Sequence, residues 1–223
     1  MILIEKTEVF GWEAAIRGMR NPMNSWDKSD SFEEYDEYPW KTDPFYIGET
    51  DLKLMKNLVN AGTDHRKFMR MLTVYVDITA PLYWWKEFDT YKVGTVANSC
   101  STMHKIQAKE FTMDDFSREH LLTGSMFQLH RTVDLLNEAR ELFLETKDKC
   151  YWWQMIQLLP SSYNQKRTVM LNYEVLANIY KSRKNHKLDE WRDFCKWVES
   201  LPYSELITGK GENHESNASG EDS

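Results

Sequence analysis

The chain lacks most of the signatures by which a sequence announces a chemistry. No glycine-rich phosphate loop opens any of its periodic segments, and only 9 glycines and 6 prolines occur in 223 residues. Without such a loop after a strand, a doubly wound nucleotide fold has no support. No apolar run approaches the ~18 residues that span a bilayer. The opening MILIEKTEVF carries Glu5 and Glu8 and no long apolar stretch, so it does not read as a signal peptide. Cysteine is scarce: Cys100, Cys150 and Cys195 are far apart and odd in number. That points to free thiols in a reducing cytoplasm rather than a disulfide framework or a zinc site. The six histidines show no paired metal spacing, so no metal is expected. Excess basic charge is absent too. Net charge is −7, which disfavours extended binding to a nucleic-acid backbone.

Aromatic residues, in contrast, are abundant: 9 Trp, 11 Tyr and 10 Phe. Such residues fill cores and subunit interfaces and make stacking surfaces for planar ligands. With 41% hydrophobic residues there is enough apolar matter for a real core.

Residues 2–9 read as a short first strand, and 12–20 follow with helical character. Residues 21–48 read as a long loop interrupted by Pro22, Pro39, Pro44 and Gly48, with Trp26, Phe32, Tyr35, Tyr38, Trp40, Phe45 and Tyr46 expected to pack on something. Thr50 or Asp51 is suited to cap a helix running to Ala61, with Gly62 as its stop. MLTVYVDIT (71–79) reads as a strand and Pro81 as the first turn of an aromatic helix. Residues 90–104 are polar and loop-like. The longest periodic segment, 124–147, repeats apolar residues at three- and four-residue steps as an amphipathic helix. A short helix (151–159), a strand (164–171) and helices over 173–182 and 188–200 complete the chain. This order is α+β, with one domain over 1–208. Residues 209–223 hold no large apolar side chain and are expected to be a disordered tail.

Two segments hold candidate chemistry. FDTYKVGTVANSCSTMH (88–104) offers Tyr91, Lys92, Thr95, Asn98, Ser99, Cys100, Ser101 and His104. Hydroxyls, an amide and backbone N–H groups in an irregular loop suit a phosphate or a planar ring edge. The same composition also suits a polar connector whose hydroxyls serve their own backbone. Cys100 beside His104 permits nucleophilic catalysis or an inert thiol. The second segment, 171–191, places Lys181, Arg183, Lys184, His186 and Lys187 near a helix C-terminus. They either complement the helix dipole or bind an anion. The Trp84-Trp85 and Trp152-Trp153 pairs suit core, interface or ring stacking.

Over roughly residues 2–200 this arrangement resembles the flavin-dependent thymidylate synthases, the ThyX family. The resemblance rests on the opening strand and helix, the turn GTDHRKF after Gly62, and the strand entering Ala80-Pro81 and an aromatic helix. It continues through a polar loop in the slot of the signature RHRxxSxNExSxR, a long helix, Leu158-Leu159-Pro160, a strand, Asn172, and a helix leading to His186 and Glu190. It implies a small sheet packed against long helices, a homotetramer, FAD held partly by the signature loop, and methylation of the nucleotide dUMP with methylene folate and NADPH. It also implies Thr95 and Ser101 in catalysis, and Tyr91, Lys92, Asn98, Ser99 and His186 at the cofactor. Glu87, Asn172 and Arg183 then fall at the substrate.

The signature itself is altered. RHR becomes Thr90-Tyr91-Lys92, and the signature's final Arg becomes Thr102. Two further family arginines fall on Ile156 and Glu174. Lys, Thr and Ile do not reproduce the bidentate phosphate contacts of Arg. Three expectations therefore stand side by side: a ThyX-like enzyme, a non-enzymatic nucleotide-binding or interaction protein on the same scaffold, and an unrelated α+β protein.

Overall fold

A computed structural model describes residues 1–33 and 45–209. Tyr35, Tyr38, Trp40 and the tail from 210 onward lie outside the described residues. The elements are β1 (Leu3–Phe10), α1 (Trp12–Arg20), β2 (Phe32–Glu33), β3 (Phe45–Tyr46), α2 (Glu49–Asn60), β4 (Thr73–Pro81), α3 (Leu82–Phe88) and β5 (Val96–Ser99). They continue with α4 (Thr123–Thr146), α5 (Lys149–Leu158), β6 (Asn164–Asn172), α6 (Tyr173–Arg183), α7 (Asp189–Glu199) and α8 (Glu205–Thr208). The class is α+β, as the order of periodic segments implies. Two differences stand out. The segment read as loop over 90–104 contains β5, and α8 follows Pro202, beyond the last expected helix over 188–200. Four-residue elements are too short to register as a period against their polar neighbours.

The described chain forms two compact units. The first comprises residues 1–8, 75–171 and 186–194; the second comprises 9–74, 172–185 and residues from 195 onward. In the first unit the strands form a four-stranded sheet of order β1-β4-β6-β5. β5 runs antiparallel to β6, with Val96 opposite Met170 and Ser99 opposite Arg167. On β4, Val76, Ile78 and Ala80 are buried and alternate with more accessible residues, because one sheet face packs and the other stays open. An aromatic core of Trp84, Trp85, Phe88, Trp191 and Phe194 fills this unit. Trp84 lies 4.8 Å from Trp191 and 4.9 Å from Trp85 between ring centroids. The α4–α5 hairpin has its own core of Leu129, Val133, Leu136, Ala139 and Met155 over Phe111 and Phe116. Trp153 is 44% exposed, so the two tryptophan pairs differ: Trp84-Trp85 is core throughout.

In the second unit, Trp12 packs edge-on against Tyr173 and Tyr203. The cap of α2 departs from the sequence expectation. Gly48 occupies the N-cap position, and the exposed amides are taken by Asp30, whose carboxylate accepts from Thr50 N (2.8 Å) and Asp51 N (3.0 Å). Asp51 is thereby released to pair with buried Arg20 (2.6 Å). The loop aromatics pack partly: Phe32 lies 5.3 Å from Tyr46, while Trp26 stays 52% exposed with its indole N–H on Asn21.

Cys100 and Cys150 are exposed; Cys195 is buried, and burial pushes its thiol up to about 11.

One turn requires glycine. Gly11 has φ +99°, and a Cβ there would stand 2.2 Å from the Met71 carbonyl oxygen. Gly11→Ala combines left-handed strain with a backbone clash. It should lower stability by at least about 2 kcal/mol, seen as a lower urea midpoint at unchanged slope.

Candidate functional site

The chemistry-bearing residues of the first unit gather where α3 ends and α7 begins. α3 stops at Phe88, and Thr90 turns its hydroxyl back onto the Glu87 carbonyl (2.7 Å). Glu87 Oε2 accepts the indole N–H of Trp191 (2.8 Å) and lies 3.6 Å from His186 Nε2. His186 Nδ1 in turn accepts the Leu188 amide (3.2 Å). That bond orients the ring so that Nε2 faces Glu87. Tyr91 and His186 both stand edge-on to Trp191, at 6.1 and 6.4 Å. Glu87 and Tyr91, four residues apart, therefore share one wall with the distant His186. Trp191 is its centre, and sequence reasoning missed it. The signal was present: Trp191 follows Glu190, five residues beyond His186.

Beyond this wall the chain runs into the polar segment. Lys92 is exposed and makes no ion pair among the described residues. Thr95 is half-buried; its hydroxyl is closed to solvent and has no hydrogen-bond partner among the described residues. Asn98 and Ser99 are exposed on β5, opposite Thr168 and Arg167. Ser101 accepts the amides of Met103 (3.2 Å) and His104 (2.9 Å), closing a hydroxyl-capped turn. At Ser101, then, the connector reading of the loop describes the geometry.

Arg167 is a second residue that sequence reasoning passed over. Its guanidinium lies 4.1 Å from the Trp85 ring centroid. It donates to Asp89 (2.7 Å) and Gln165 (3.0 Å). A stacked, twice-bonded guanidinium is fixed in place. Tyr83 donates to buried Glu190; burial first, and the carboxylate second, push its hydroxyl far above the ordinary tyrosine value. The same unit holds a cleft of about 410 Å³, lined among others by Cys100, Ser101, Lys109, Tyr163 and Lys166.

In the second unit, Asn172 is the N-cap of α6 and accepts the Val175 amide (3.0 Å). Arg183 ends the same helix. Glu174, in its first turn, forms an ion pair with Arg66 between largely buried groups: Nη2 donates to Oε1 (3.0 Å) and Nε lies 2.8 Å from Oε2. The carboxylate that stands where the resemblance places an arginine is thus neutralised by the turn GTDHRKF.

No protein-family model and no curated protein matches the sequence. Solved structures do. The flavin-dependent thymidylate synthase ThyX of Helicobacter pylori, complexed with FAD and dUMP, superposes at TM-score 0.64 with 16% identity over 94% of this chain and 97% of that one. The fold is ThyX-like. The UMP/dUMP methylase PolB of Streptomyces cacaoi, bound to 5-Br UMP, shares it at TM-score 0.59 and 12% identity, covering 94% of each chain. At such identity the likeness carries the architecture and leaves the site to its own residues. Among the described residues, no helix is long and apolar enough to cross a membrane.

Proposed function

We propose that this protein binds a phosphate-bearing pyrimidine nucleotide on its ThyX-like fold, through the segment 91–99. One observation carries the reading: the Thr95 hydroxyl, closed to water and unpartnered, lies three residues from the unpaired Lys92 ammonium. A buried donor left without a partner costs roughly 1–3 kcal/mol. A ligand oxygen at this point removes that cost, and Lys92 supplies the charge that an acidic protein needs to attract an anion. Asn98 and Ser99 extend the donor set, and Tyr91 adds an aromatic edge. Glu87 and His186, oriented by Trp191, face the uncharged part of the ligand. The resemblance also implies Asn172 and Arg183 at the substrate; both belong to the second unit, at the two ends of α6.

The finer reading is flavin-dependent methylation of dUMP, with methylene folate and NADPH, in a cytoplasmic homotetramer. The residues fit FAD in part. Lys92 and Thr95 suit one phosphate, and Tyr91 offers a ring edge. When bound, the flavin supplies hydride. A purified enzyme of this kind is yellow and shows flavin absorbance, or acquires it on titration with FAD. A colourless protein that takes up no added FAD while binding dUMP or UMP would leave only the non-enzymatic reading. That second reading has its own support. Thr90, Ile156 and Glu174 stand where the resemblance places arginines, and the Arg66 guanidinium is committed to Glu174.

A further inference from the structure

The segment that carries Lys92 and Thr95 is fastened to one strand at both ends. At its start, the Asp89 carboxylate accepts Arg167 Nη1 (2.7 Å). At its end, the Cys100 carbonyl accepts Gln165 Nε2 (2.7 Å), and the Cys100 amide donates to the Lys166 carbonyl (2.9 Å). Gln165 and Arg167 alternate along β6 and so share one of its faces. There Arg167 Nε donates to Gln165 Oε1 (3.0 Å). One chain of side-chain bonds therefore runs from Asp89 through Arg167 and Gln165 to Cys100.

Each link dictates the next. A guanidinium only donates, so the Gln165 amide must turn its oxygen toward Arg167. Its nitrogen then faces the Cys100 carbonyl, which needs a donor. Gln165 is itself buried, and its main-chain carbonyl accepts the Trp85 indole N–H (2.9 Å). The Trp85 ring, also buried, carries the Arg167 guanidinium on its face. The chain of bonds is thus rooted in the core of the first unit. Between its two ends, Val93 is 91% exposed and Gly94 turns at φ +75°, so this stretch has little packing to fix its shape.

We infer that Arg167 is a positioning residue for this segment: its guanidinium sets the separation of Asp89 and Cys100, and so holds Lys92, Thr95 and Ser99 in their binding geometry before the ligand arrives. That the ligand is a nucleotide rests on the reading given above; the clamp itself does not. Ordering the segment in advance removes that entropic cost from binding. Arginine suits the task, because its planar fork meets two acceptors while its face lies on Trp85; lysine has a single nitrogen and no plane to stack. The clamp also accounts for Asp89. A carboxylate three residues before Lys92 opposes an anion, and holding Arg167 gives it a reason to be there. The two effects of Asp89 have opposite signs. If only the field matters, removing this negative charge strengthens anion binding. If position matters, removing it weakens binding.

Calorimetric titration of dUMP and UMP into variants of the full chain reads that sign. Asp89→Ala should lower affinity about fivefold or more, the scale of one ordering contact. Asp89→Asn keeps an oxygen that accepts from Arg167 and should stay within about twofold of the parent. Arg167→Lys keeps the charge, loses the fork and the stack, and should fall about as far as Asp89→Ala. Asp89 is half exposed, and an exposed pair contributes little to folding. The melting temperature of Asp89→Ala should therefore drop by no more than about 4 °C. Without ligand, amide hydrogen exchange over 90–99 should speed up about tenfold or more in Asp89→Ala. Affinity that holds or rises in Asp89→Ala, while Lys92→Ala weakens it, overturns the clamp and leaves the nucleotide reading standing. If Lys92→Ala leaves binding unchanged, that reading fails, and the ligand-free exchange alone judges Arg167. A rate in Asp89→Ala equal to the parent's overturns the positioning role, and a raised rate upholds it.

Discussion

Replacing Asp51 by alanine is expected to destabilise the second unit by about 3–5 kcal/mol, the cost of breaking a buried ion pair. Asp51 is fully buried and Arg20 is 3% exposed. One Asp51 oxygen accepts Arg20 Nε at 2.6 Å. The other accepts the Ser29 hydroxyl (2.7 Å), the Asp30 amide (3.1 Å), and both the amide (3.2 Å) and hydroxyl (2.7 Å) of Ser31. Arg20 carries the network outward to the Ser25 carbonyl (3.0 Å) and the Lys28 carbonyl (2.9 Å). One carboxylate thus ties residues 25–31 to the start of α2. Removing it strands a buried guanidinium and four further donors at once. For a chain of this length the loss corresponds to a fall in melting temperature of roughly 6–20 °C. Asp51→Asn should fare little better, because the guanidinium stays uncompensated. The double variant Arg20→Met/Asp51→Leu should recover part of the loss, since apolar replacement of both partners removes the stranded charge. A melting temperature of Asp51→Ala within about 1 °C of the parent would show that the network contributes nothing to folding.

This network also marks the limit of what the sequence discloses. Asp51 beside Thr50, before an apolar period, is the ordinary pattern of a helix cap. Nothing local reveals that Asp30, across a loop, takes the capping role and frees Asp51 for Arg20. Where structure follows from nearest neighbours, the reading is close. The 24-residue α4, the strand leading into Ala80-Pro81 and the stop at Gly62 (φ +103°) all lie in sequence as period or punctuation. The site divides along the same line. Tyr91, Lys92 and Thr95 are visible as polar residues in one short segment. Trp191 and Arg167 are not, because each acquires its role only when strand pairing and the aromatic core bring Glu87 and Trp85 beside it. β5 escapes for a related reason: its alternation is set by pairing with β6, and its own side chains are all exposed.

Lys92→Ala is expected to weaken nucleotide binding by roughly 1.5–3 kcal/mol, the range for a hydrogen bond to a charged group. That is about 10- to 150-fold in affinity. It should leave thermal stability nearly unchanged, since an exposed, unpaired lysine contributes little to folding. Lys67→Ala is the matched control. It removes the same charge from the turn that starts at Lys67, so it corrects for the general field of the protein. Calorimetric titration of dUMP and UMP into both variants and the parent separates the outcomes. Loss confined to Lys92→Ala places the phosphate at the 91–99 segment. Thr95→Val then provides an independent arm: it deletes the unpartnered hydroxyl at nearly constant volume. Removing a buried polar group that has no partner should raise folding stability slightly, because its desolvation cost disappears. If Thr95 also meets the ligand, the same change lowers affinity. Opposite signs for stability and affinity in one variant are the mark of a donor held in reserve for a ligand. Equal affinity in Lys92→Ala, Lys67→Ala and the parent, with Thr95→Val neutral in binding, would reduce the segment to a polar connector between α3 and β5.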